Sequence, residues 1–107
     1  MLILFCLPIL LFGQNALIIG EWYNAEKDAV ITIFEEKANS NEKATIAGKI
    51  SWMKESIDEK GNPKTDNLNP DEKLQKRKTL GLKILYGFIN KGDNVWKNGE
   101  VYDPKKG

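Results

Sequence analysis

The residues able to do chemistry are few, and their types exclude more than they offer. The chain has no histidine, so neither a Ser-His-Asp nor a Cys-His arrangement can be built, and zinc sites of the usual kind lack ligands. The one cysteine, Cys6, lies in an apolar run near the start. Asp66, Asp71 and Asp103 leave paired-carboxylate chemistry formally open, but no spacing sets two of them at a scissile bond. The stretch 66–71 is oxygen-rich, yet Leu68 and Pro70 stand where a calcium loop needs oxygen ligands and the required glycine is missing. A cap and an Asp turn account for it. Residues 61–66 (Gly-Asn-Pro-Lys-Thr-Asp) more simply specify a turn whose Thr65 and Asp66 satisfy loop backbone amides than a lid with a functional tip. No glycine-rich phosphate cradle precedes a helix. The most informative set is aromatic: Trp22, Trp52, Trp96 and Tyr102. Inward aromatics of a small barrel either fill the core or line a cavity for an apolar ligand. Trp22, Trp52, Asp66, Trp96 and Tyr102 are therefore the candidate ligand-binding residues. No catalytic residue, metal ligand or cofactor is expected.

The elements that must position these residues follow a period of two, the strand period. Residues 45–52 show it best, with Ile46, Gly48, Ile50 and Trp52 on one face and Thr45, Ala47, Lys49 and Ser51 on a wet one. Residues 30–34 are apolar on both faces and belong inside a sheet. Residues 19–23 form a short opening strand, followed by a polar turn over 24–28. Residues 82–89 form a further strand, with Leu82, Ile84, Tyr86 and Phe88 on one face. A polar loop then leads to a partner strand over 95–102, where Gly99 marks a bulge or bend. The stretch 58–69 reads as a long ordered loop. After it, Asn69 as N-cap, Pro70 as first residue, Glu72 near the start and Lys76-Arg77-Lys78 near the end predict a short helix over 70–78. Gly81 ends that connection. The fold class is mainly β: an antiparallel meander forming part of a barrel, with one short helix in a long connection.

Residues 2–12 are apolar and uncharged, and the polar residues after them end the run. This matches a signal-peptide core and is too short to span about 30 Å of hydrocarbon. No Lys or Arg precedes it, a departure from the usual positive start. The expected layout is a signal peptide over 1–16 and one domain over 17–107, exported to the periplasm or the extracellular space, with no stable membrane span once the leader is cut. The residues before Cys6 lack the small neighbour that lipidation needs, so the mature chain would carry no thiol. The net charge is +1, and the densest basic run, 76–78, sits beside Asp71 and Glu72 as a solvated face. Nucleic acid is not an expected partner.

Several clusters carry a resemblance: Gly20-Glu21-Trp22, Gly48-Lys49-Ile50-Ser51-Trp52, residues 61–70 (Gly-Asn-Pro-Lys-Thr-Asp-Asn-Leu-Asn-Pro), Leu80-Gly81-Leu82-Lys83-Ile84-Leu85, and Gly99-Glu100-Val101-Tyr102-Asp103-Pro104. In order and spacing the chain resembles the bacterial DUF2147 family from Gly20 to Gly107. The resemblance implies a small exported protein with one lipocalin-like domain, and further strands after Gly107, so this chain is expected to lack part of its barrel. With about five strands, both sheet edges stay open, and marginal stability with a tendency to associate is expected. The family brings no activity to carry onto residues. The leading expectation is a non-enzymatic module binding a small apolar or amphipathic ligand, with residues 61–69 near the mouth. One alternative is a structural or protein-interaction domain of the envelope with a filled core, and another is an enzyme using Asp66 and Asp103.

Overall fold

The computed structural model describes residues 15–37, 43–92 and 94–107. The expected leader lies almost wholly outside the described residues, as does part of the loop over 38–43. Six antiparallel strands follow the alternating segments: β1 (Gly20–Tyr23), β2 (Ala29–Glu36), β3 (Thr45–Met53), β4 (Lys83–Asn90), β5 (Trp96–Lys97) and β6 (Glu100–Val101). They pair in the order β1-β2-β3-β4-β5, with β6 also on β4. The sheet curls into a half-barrel. Among the described residues no helix is long and apolar enough to cross a membrane.

The meander is the one that the alternation predicts, but bulges reset its faces. Val30 pairs with Trp52 and Ile31 with Ile50, so Ser51 is an extra residue on β3. Its hydroxyl donates to the Val30 carbonyl at 3.3 Å and accepts from Thr32 Oγ1 at 2.7 Å. An inserted residue reverses the alternation beyond it. Trp52 therefore leaves the face of Ile50 and joins Val30 and Tyr23, whose ring it meets edge-on at 6.3 Å. The four-residue face predicted for 46–52 thus holds only through Ile50. Ala47, predicted on the wet face, is fully buried beside Ile46 and Ile50. The β3–β4 register also slips twice, so that Gly48 meets Leu85 and Ile46 meets Phe88. Leu85 and Phe88, predicted on opposite faces, share one.

Two further expectations are corrected. The helix predicted over 70–78 is a single 3-10 turn, Glu72–Leu74, and its N-cap is Asp71, which accepts from the Lys73 amide at 3.0 Å. Tertiary pairing overrides the capping signal. Asn69 is buried, its amide committed to Asp66, and the chain after the turn continues through further turns and bends, tied back by an isolated bridge of Lys78 to Thr65 and by the Thr79 amide donating to the Lys64 carbonyl. The strand predicted over 95–102 is split into β5 and β6 around Asn98, which has a φ of 65°. Gly99 marks this break as predicted, with its backbone against the Phe88 ring.

Only Gly61 and Asn62 of the turn predicted at 61–66 lie in a tight turn, the tip of a small hairpin over 58–62, while Pro63 and Lys64 form its returning arm. Ile57 bridges Pro63, Gly61 has a φ of 84°, and Asp58 Oδ1 accepts from the amides of Lys60 and Asn62, both at 2.9 Å.

Candidate functional site

Asp66 is the centre of the most heavily bonded polar group among the described residues. Its side chain has no exposure to solvent. Tyr102 Oη donates to Oδ1 at 2.6 Å, while Asn69 Nδ2 and Arg77 Nη2 donate to Oδ2 at 2.9 and 3.0 Å. The backbone adds to this, with the Asp66 amide donating to the Arg77 carbonyl at 2.8 Å. Burial pushes the carboxyl upward, but the hydrogen bonds from Tyr102, Asn69 and Arg77 outweigh it and hold the pKa below its ordinary 3.8. Burial and the facing carboxylate raise the Tyr102 phenol above its ordinary 10.0. A buried carboxylate with three donors is a structural tie. It pins the long connection to the chain that follows β6.

That tie builds one wall of an open trough of about 910 Å³ on the half-barrel. Its floor is aliphatic: Ile31 from β2, Ile50 and Met53 from β3, and Ile84 from β4. Thr65, Asn67 and Leu68 stand along one side, and Tyr102 to Lys105 along another. Tyr102 is fixed there twice, through its hydroxyl and through its amide, which donates to the Ile84 carbonyl at 2.8 Å.

The trough reaches the β1–β2 turn at Asn24, Glu26 and Asp28. Asn24 Oδ1 accepts from the amides of Asp28 and Ala29 at 3.0 and 3.1 Å, and its Nδ2 donates back to Asp28 Oδ1. Lys105 Nζ binds Asp28 Oδ2 at 3.1 Å. The Asn24 hydrogen bond, then Lys105, lowers the Asp28 pKa, and Asp28 in turn raises that of Lys105. Lys54, Glu55, Asp58 and Lys64 complete the rim.

Of the five residues singled out in the sequence, the structure brings Asp66 and Tyr102 together. Tyr102 lines the trough, and Asp66 holds it from behind. The three tryptophans are elsewhere. Trp22 is 52% exposed on the edge strand, with its indole N–H donating to the Ile18 carbonyl at 2.8 Å. Trp52 is 45% exposed, on the side to which the Ser51 bulge turns it. Trp96 is half-buried and donates to Asn15 Oδ1 at 2.8 Å. The trough is floored by isoleucines, which alternation alone assigned to core. The Asn24–Asp28 spacing carried the signal for an Asx turn, but Lys105 lies 77 residues further on, and no local pattern joins them. Among the described residues no group of acidic, histidine or cysteine side chains could hold a metal ion.

The described residues thus form an antiparallel half-barrel that carries an open aliphatic trough and a buried carboxylate tie. The chain belongs to the DUF2147 family, described as an uncharacterized protein conserved in bacteria, whose family model matches residues 20–107. No similar chain is found among curated proteins or among solved structures.

Proposed function

We propose that this protein is an exported, non-enzymatic binder whose trough holds a small apolar or amphipathic molecule. The observation that carries the proposal is the trough: its volume of about 910 Å³ falls within the range of small-molecule sites, and an aliphatic floor with a few fixed polar groups is their usual composition. Residues 65–68 of the long connection stand at its side, where a lid would be. Asp66, the carboxylate that an enzymatic reading would need, is wholly buried and receives three donors, so it does not face a substrate there. The test is to incubate the protein with a bacterial lipid extract, re-purify it, and identify retained molecules by native mass spectrometry. Retention of one lipid class, lost when Met53→Asp polarises the half-buried end of the floor, is the expected outcome. An empty protein would sink the proposal.

Export rests on the apolar run over residues 2–12. Expression in a bacterium should place the protein outside the cytoplasm, shortened by about the first 16 residues by intact mass. A full-length cytoplasmic product would contradict it.

A second reading, a protein-interaction domain of the envelope, is favoured by a different surface. Tyr23, 63% exposed, and Trp52 form an outward aromatic pair, and such residues are enriched where proteins dock. Under this reading, Tyr23→Ser with Trp52→Ser would abolish envelope co-purification while leaving the trough intact.

A further inference from the structure

We infer that the trough selects an amphiphile with an ammonium head, and that Lys105 occupies the place of that head at Asp28. This deepens the binding proposal above and rests on it.

The site for the head is already organised. Asn24 fixes one carboxylate oxygen of Asp28 and is itself held by the amides of Asp28 and Ala29. The other oxygen faces an ammonium, Lys105 Nζ at 3.1 Å. Both partners also line the trough. The pair is open to water, with Asp28 40% and Lys105 61% exposed by side chain. Ion pairs of that kind are weak, so an incoming ammonium can replace Lys105 at little cost.

The surrounding charge favours the same head group. Glu26, Asp58 and Asp103 stand around the trough without a lysine within ion-pair distance among the described residues. Lys64 lies 3.8 Å from Glu55, which leaves Lys54 as the remaining cation of the rim. A rim with this balance repels carboxylate or sulfate heads and attracts cations. A primary ammonium brings three donors, as lysine does. The tail has its own track, because Asp28 is followed by Ala29 at the start of β2, and Ile31 begins the aliphatic floor.

The test is calorimetric titration of the full chain with decylammonium, 1-decanol and decanoate, each below its micellar concentration. Decylammonium should bind at least about tenfold tighter than decanoate, with decanol between, and the advantage should shrink in high salt. Lys105→Ala should tighten decylammonium by about two- to fivefold, the equilibrium worth of an exposed pair. Asp28→Asn should remove most of the difference between decylammonium and decanol, leaving only the part that the other rim carboxylates supply. Circular dichroism confirms that both variants keep the sheet. Equal binding of the three probes, or a preference for decanoate, would overturn the head-group inference while leaving the trough as a binding site. Unchanged decylammonium affinity in Lys105→Ala would overturn the placeholder role of Lys105. Failure of all three probes to bind would sink the binding proposal itself.

Discussion

At the residue scale the protein is governed by what happens when a carboxylate is sealed from water. Asp66 remains ionised inside because Tyr102, Asn69 and Arg77 replace its lost hydration. Asp66→Ala leaves those donors facing a void and should cost about 2–4 kcal/mol in urea denaturation, because removing one partner of a buried charged network strands the rest. The sign of the pH dependence follows from the two displaced titrations. The pKa of Asp66 is lowered, so its contribution is fully present above the ordinary carboxylate range and is lost as pH falls through the depressed value. The pKa of Tyr102 is raised, so its contribution is fully present below the ordinary phenol value and is lost as pH rises through the elevated one. Stability should therefore plateau between about pH 5 and 9 and fall on both sides. Tyr102→Phe should weaken the alkaline limb and move the acid limb to higher pH, as followed by denaturant midpoints across pH. In the sequence, Asp66 and Tyr102 were both visible as candidates. Their partnership was not, because 36 residues separate them and only the folded chain brings the loop to the strand end.

At the element scale, strand existence was legible and facing was not. Alternation located β3 and β4, whose apolar residues stay in phase over several positions, and a β-branched run apolar on both faces located β2. Alternation failed at Ser51, where one additional residue changes the phase without altering the composition on either side. The predicted helix failed for a related reason. Capping residues report a local preference, and the preference lost to tertiary ties, the Asp66–Asn69–Arg77 hydrogen bonds and the isolated bridge of Thr65 with Lys78. Glycines at close approaches offer a direct test of the packing. A methyl at Gly48 would sit 2.8 Å from Leu85 Cδ1, the free end of a side chain that can swing aside. A methyl at Gly99 would overlap the Phe88 ring, whose rigid edge has no such freedom. Gly99→Ala should thus destabilise by about 1–3 kcal/mol and Gly48→Ala by less, and Phe88→Leu should relieve the former in a double-mutant cycle.

At the scale of the whole molecule, the sheet among the described residues has two free margins, β1 on one side and β5 with β6 on the other. Among the described residues the buried apolar side chains are Ile46, Ala47, Ile50 and Leu82, while Trp22, Tyr23 and Val101 lie exposed on the margin strands. Unpaired strand edges with apolar side chains template further pairing. Sedimentation velocity should show a weight-average mass that rises with protein concentration, and Trp22→Lys should suppress that rise by placing a charge on β1. A monomer unchanged over the concentration range would show that these margins are inert.

Asp28 and Lys105 stand 77 residues apart in the chain, and this separation sets an order of assembly. The β1–β2 and β2–β3 hairpins close over short loops and can form early in folding. The wall carrying Tyr102 and Lys105 can dock only after β4 exists to receive it, because the Tyr102 amide donates to the Ile84 carbonyl, so the cleft takes shape after its floor. Until that docking is complete, the isoleucine floor has no wall over it and is open to other apolar surfaces.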